Sequence, residues 1–134
     1  MIIFYSSPAG HVKKIVEELD GEKVEIKIKE KVSRFFILNA LKWGKASKEE
    51  KKVTILNEKF NLENLKDLTI IGPVWAGKPS NPIQTFIKEN QEELNKIDNL
   101  KVIMNCAGND GKSKEFLDRY LKNFKYEVIK NNEK

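Results

Sequence analysis

LTIIGPVWAGKPSNPIQTFI, residues 68–87, sets a strand, a glycine- and proline-rich loop and the start of a helix one after another. Leu68 to Ile71 reads as an apolar run, the pattern of a strand covered on both faces. Pro73 to Pro79 reads as a loop placed where that strand ends. Pro82 then suits a first helical position, and Ile83, Phe86, Ile87 and Leu94 recur at helical spacing. Working outward, Ile2 to Tyr5 and Val102 to Met104 are further apolar runs, so three central strands are expected. Val24, Ile26 and Ile28 alternate with Glu25, Lys27 and Lys29, and Tyr126 and Val128 flank Glu127, which places these two strands at the sheet edges.

Helix patterns fill the gaps. Val12, Ile15, Val16 and Leu19 form one stripe that Gly21 stops, and Phe116, Leu117, Tyr120, Leu121 and Phe124 form another. The alternation predicts an α/β doubly wound five-stranded parallel sheet, order 2-1-3-4-5, in which strands two and five are outermost. Ser33 to Gly44 has a Ser N-cap candidate and a Gly stop, with apolar residues on more than one face. The stretch from Lys45 to Asn64 carries the charge run KEEKK, then Val53 to Leu56, which reads either as a short extra strand or as a loop.

A chain of 134 residues with 40% hydrophobic and 34% charged residues suits one domain over residues 1–134, able to bury its own core. No apolar run approaches the roughly 18 residues of a membrane span. Met1 leads directly into a strand pattern without a basic leader, which predicts a cytoplasmic protein and no membrane partner. One cysteine, Cys106, excludes an internal disulfide, and with one histidine, His11, it cannot supply a four-ligand zinc site. The net charge of +5 comes almost wholly from lysines interleaved with glutamates, and Arg occurs only at 34 and 119. That scatter reads as a solvated surface, so nucleic acid is not the expected partner.

Three loops follow the three central strands. In SSPAGH, from Ser6 to His11, a strand turns into a helix, whose first N–H groups favour anions; Gly10 permits close approach, and Ser6, Ser7 and His11 are candidate donors. Ordinary helix capping is the plain alternative. In GPVWAGKPSNP, Trp75 lies just beyond a central strand, where it either packs on a flat ligand or folds back over the helix that begins near Pro82. CAGNDG, Cys106 to Gly111, holds tight-turn residues, and Cys106 itself reads as a small buried hydrophobe rather than a nucleophile.

On IIFYSSPAGHVKKI, LTIIGPVWAGKPSNPIQTFI and KVIMNCAGNDG, the chain resembles the short FMN-binding branch of the flavodoxin family over nearly its whole length. The resemblance implies a flavodoxin-like fold with FMN as cofactor. By position it implies that Ser6, Ser7, Gly10, His11 and Val12 face the phosphate. Pro73, Val74, Trp75, Ala76, Gly77 and Lys78 would lie on one side of the flavin, and Cys106, Ala107, Gly108 and Asn109 on the other. No side chain need act as general acid or base, since the chemistry belongs to the cofactor. Lys78 beside the ring would favour the anionic hydroquinone. An FMN-binding electron carrier with a redox partner protein, or a small flavin-dependent oxidoreductase, follows; a cofactor-free interaction module is the reading from another class.

The chain departs from that family twice. Its phosphate loop usually carries hydroxyls at three positions, of which this chain keeps only Ser7, with Ala9 and Val12 at the others. Each lost hydroxyl contact to a dianion costs about 1.5–3 kcal/mol. The chain also ends soon after Ile129, without the family's last helix. A sheet face left half open, with the apolar helix at Ser33 to Gly44, leads to the expectation of a homodimer.

Overall fold

The computed structural model describes residues 2–7, 10–30 and 36–131, with side chains from residue 42 onward in the helix that begins at Phe36. Strands β1 (Ile2–Tyr5), β2 (Glu22–Glu25), β3 (Asp67–Trp75), β5 (Asn99–Cys106) and β6 (Lys125–Lys130) run parallel in the order β2-β1-β3-β5-β6. A two-residue strand, β4 (Lys78–Pro79), folds back antiparallel on the end of β3. Without that hairpin the order is the expected 2-1-3-4-5, with β2 and β6 outermost. The helices are α1 (His11–Glu17), α2 (Phe36–Lys48), α3 (Asn81–Glu89), α4 (Gln91–Leu94) and α5 (Ser113–Tyr120).

Strand alternation divides the core between two faces. Phe4, Leu68, Ile70, Val102 and Met104 meet Ile83, Phe86 and Ile87 of α3 and Phe116 and Leu117 of α5. Ile3, Ile71 and Ile103 meet Val12 and Val16 of α1 on the other side. Gly72 lets α3 approach β3: a Cβ there would lie 2.3 Å from Ile83 Cγ1. α3 starts at Asn81 with Ser80 at its N-cap, one residue before the expected Pro82.

The open stretch from Lys45 to Asn64 resolves into two jobs. Ile28 and Ile55 form an antiparallel bridge, supported by Lys29 N–H to Thr54 O at 2.9 Å and Leu56 N–H to Lys27 O at 2.8 Å. Beyond it, Phe60 meets Phe4 and Phe86 with ring centroids 5.1 Å away in each case, so an irregular segment covers the sheet. α2 does not stop at Gly44 but continues to Lys48. Gly44 sits against Ala76, where a Cβ would make an ordinary 3.7 Å contact, and lies within the helix rather than ending it. The helix stops instead in a Schellman turn: Glu50 N–H bonds Ser47 O and Lys51 N–H bonds Ala46 O, both at 3.0 Å, with Glu50 at φ 56°. The Ser33 cap lies outside the described residues.

No helix follows β6 among the described residues. On the α1 side of that edge Lys101 and Glu127 pair at 2.8 Å across β5 and β6, Lys125 is exposed, and Ile129 is partly buried against the cluster of Ile3, Ile71 and Ile103. The expected homodimer rests in part on that face. The other ground for it, the apolar side chains early in α2, falls largely outside the described residues.

Candidate functional site

Strand register brings the three loops to one rim. Tyr5 is level with Ile71 and Pro73 with Asn105, and the Ser6 N–H bonds Ile71 O at 3.1 Å, so β1, β3 and β5 release their chains side by side.

At the first turn Gly10 has φ 88°, a left-handed conformation that leads into α1. Its surroundings are open, with nothing within 4 Å of where a Cβ would be. Ser7 Oγ accepts the Lys13 N–H at 2.8 Å, which uses one lone pair and leaves the hydroxyl proton available. His11, Lys13 and Lys14 are exposed and no acidic residue occupies the first turn, so the local potential is positive. Ser6 is buried, and the Val12 side chain lies in the core under α1, which leaves Val12 only its backbone to offer. Pro8 and Ala9 lie outside the described residues.

The second loop is a hairpin with a two-residue turn: Trp75 pairs with Lys78, while Ala76 and Gly77 take φ 50° and 78°. Positive φ at both central residues matches the twist of the flanking strands. Trp75 is half-buried, with its ring 5.4 Å from that of Trp43 in α2 at a 49° tilt. Its neighbour is thus a second indole, contributed by α2. Pro73 O accepts the Ser80 N–H at 2.9 Å, and Val74 packs on the core.

Lys78 does not stand as a bare charge at the rim. Its ammonium donates to Glu50 at 2.7 Å and to Lys48 O at 2.9 Å, which holds it against the end of α2. Glu50 also meets Arg119 of α5, and Lys88 of α3 lies at 3.8 Å. Burial pushes the Glu50 carboxyl up, but the hydrogen bonds from Arg119 and Lys78 outweigh it and hold the group down at about 2. Around this hub, Asn81 Nδ2 donates to Ala46 O and Lys51 O, and Gln84 Nε2 to Ser47 O. These contacts satisfy carbonyls that a helix end otherwise leaves to water.

The third loop is tied in place. Asn109 Oδ1 accepts the Gly111 N–H at 2.9 Å, and the Tyr126 hydroxyl donates to Asp110 at 2.6 Å. Burial and that bond raise the Tyr126 phenol well above its usual range. Ala107, Gly108 and Asn109 are exposed, whereas Cys106 is buried, with its thiol pushed up by burial and by the Asp110 carboxylate. The hairpin and this loop touch backbone to backbone: Lys112 N–H bonds Gly77 O at 2.6 Å.

Ser7, Gly10, His11, Trp75, Ala76, Gly77, Ala107, Gly108 and Asn109 therefore have accessible atoms at the rim, while Ser6, Val12, Val74, Lys78 and Cys106 turn their side chains elsewhere. Trp43, Glu50 and Tyr126 were not foreseen as supports. One signal existed in Asn81, Gln84 and Thr85, polar residues all buried on α3, which require a polar partner on that side.

No protein-family model matches this chain, and no curated protein matches it. Among solved structures it is similar to a flavoprotein from Lactobacillus acidophilus NCFM crystallised in complex with FMN, at 20% identity and a TM-score of 0.73 over 95% of this chain and 89% of that one. A protein from Bacteroides eggerthii DSM 20697 designated a flavoprotein aligns at 19% identity and a TM-score of 0.76, over 98% and 89% of the two chains. The apo-form of the Lactobacillus acidophilus NCFM flavoprotein, an NMR structure, aligns at 21% identity and a TM-score of 0.61, over 98% and 91%. At these identities the likeness is one of architecture: the chain has the flavodoxin-like α/β fold.

Proposed function

We propose that this protein binds FMN at the carboxyl rim of its sheet and carries electrons to a redox partner protein. The observation that carries the reading is the convergence of three loops, from β1, β3 and β5, with open backbone at Gly10 and Gly108 and a half-buried indole at Trp75 between them. Likeness in fold to a flavoprotein in complex with FMN supports it.

The residues present fit such a group. Gly10 leaves space around a left-handed turn at the start of α1, where a phosphate would meet N–H groups and the Ser7 hydroxyl proton. Nothing lies within 4 Å of where a Cβ on Gly108 would be, so the third loop can approach a ring edge through its backbone. Bound FMN supplies one- and two-electron redox chemistry. The chain's own part is to hold the ring between Trp75 and the 107–109 backbone, to exclude water, and to keep the loops still. Trp43 backs Trp75, and the Gly77–Lys112 bond locks the hairpin to α5. Lys78 shares the Glu50 carboxylate with Arg119 and Lys88, which leaves this corner of the rim cationic.

Purified protein titrated with FMN should quench Trp fluorescence and gain a flavin absorption band that stays with the protein through gel filtration. Protein that remains colourless with unchanged fluorescence refutes the reading and leaves the cofactor-free interaction module in its place.

A further inference from the structure

The hairpin that carries Trp75 stands in a collar of cations. Lys78 lies on the hairpin itself and reaches the backbone of Lys48, the last residue of α2, while Lys112 opens α5 on the other side, where its N–H bonds Gly77 O. Behind them, Lys88 of α3 and Arg119 of α5 lie over the same two rings. The Lys88 ammonium is 5.6 Å from the Phe116 centroid and 5.8 Å from that of Tyr120, and the Arg119 guanidinium carbon is 5.1 and 5.6 Å from them. Glu50 holds Lys88, Arg119 and Lys78 together, and one carboxylate against three cations leaves the cluster positive.

The other acids of this side do not reverse that sign. Glu49, Glu89 and Asp118 are each paired with a lysine of their own, Lys51, Lys52 and Lys114. Asp110 accepts the Tyr126 hydroxyl, and Glu115, in the first turn of α5, adds one acid near Arg119. Lys48 and Lys112 are exposed and make no ion pair among the described residues. Lys78, Lys88 and Arg119 are held in place before any partner arrives, which lowers the ordering cost of docking on them. A nucleic-acid strand would need a more continuous cationic track; here the paired carboxylates interrupt the surface, as in the mixed polar rim of a protein interface.

We propose that this collar docks an acidic protein, with the partner's carboxylates on Lys48, Lys112 and Arg119 and its face turned to the hairpin. This names the kind of redox partner and rests on the flavin reading for that partner's role; the docking itself stands on the charges.

The test measures binding of a purified acidic ferredoxin, of basic cytochrome c and of a single-stranded oligonucleotide by calorimetry, without flavin and again with FMN added. It compares wild type with a Lys48→Glu/Lys112→Glu variant and with a Lys23→Glu/Lys125→Glu variant. Both variants change the net charge equally on exposed side chains, and Lys23 and Lys125 lie toward the amino ends of the outermost strands, away from the rim. Matching urea midpoints establish that both fold, and Lys48→Gln/Lys112→Gln should bind ferredoxin with an affinity between wild type and the reversal. Ferredoxin is expected to bind wild type more tightly than cytochrome c or the oligonucleotide does, and to lose at least about tenfold between roughly 20 and roughly 200 mM salt. The Lys48/Lys112 reversal should weaken it at least about tenfold more than the Lys23/Lys125 reversal does. No saturable ferredoxin binding, an equal loss in the two reversals, or tighter binding of cytochrome c or of the oligonucleotide overturns the proposal. Ferredoxin docking that depends on Lys48 and Lys112 in a chain that takes up no FMN keeps the proposal and removes the flavin reading. FMN uptake with equal ferredoxin binding by the two reversals does the opposite.

Discussion

Gly77 and Gly111 meet so closely that a Cβ on Gly111 would lie 2.5 Å from the Gly77 Cα and 2.8 Å from its carbonyl oxygen. This contact joins two of the three rim loops without a side chain and explains the glycine at 111, while the glycine at 77 answers to its φ of 78°. Gly111 also has φ 56°, so Gly111→Ala combines a backbone clash with a left-handed strain. It should cost about 2–4 kcal/mol in urea unfolding. Gly77→Ala, with 3.6 Å of clearance and only the strain of φ 78°, should cost about 1 kcal/mol. Equal costs would remove the loop-to-loop contact from the account.

Glu50 makes stability depend on acid. Its carboxyl is held at about 2 in the folded chain against an ordinary 4.5. A lowered folded value means the contribution is complete above the unfolded value and fades as pH falls from about 5 toward 2. Glu50→Gln should cost about 1.5–3 kcal/mol at pH 7. The gap between the two proteins should narrow through that acid window, as read by denaturant midpoints. A gap independent of pH would mean that Arg119 and Lys78 do not act through charge.

Trp43 and Trp75 divide support from contact. Trp43 is 4% exposed, so Trp43→Ala should cost about 3–5 kcal/mol of stability. Trp75 is half-buried, and Trp75→Ala should cost less stability yet weaken FMN about tenfold or more. Fluorescence titration and urea unfolding of both variants separate the two roles.

Ser7 serves the helix and the candidate phosphate site together. Ser7→Ala removes the acceptor of the Lys13 N–H and should cost about 0.5–2 kcal/mol in stability. The affinity advantage of FMN over riboflavin should shrink in the same variant. An unchanged FMN-to-riboflavin ratio would place the phosphate elsewhere.

The apolar runs at Ile2–Tyr5, Leu68–Ile71 and Val102–Met104 already implied a doubly wound parallel sheet, and alternation at Val24–Ile28 and Tyr126–Val128 implied its edges, because burial on one or two faces writes its own period into a strand. The turn residues around Gly10, Gly77 and Gly111 likewise marked the loops, since left-handed turns and close approach restrict residue choice locally. Lys78, Glu50, Arg119, Trp43 and Tyr126 carry no such local mark. Their partners lie up to 69 positions away in the chain, and a lysine beside a flavin and a lysine capping a helix look alike until α2 is docked. Local propensity and periodicity thus settled which segments are strands, while packing carried β3 past Ile71 to Trp75. Only tertiary packing decided that α2 would close on the hairpin and that Glu50 would gather Lys78, Lys88 and Arg119 there.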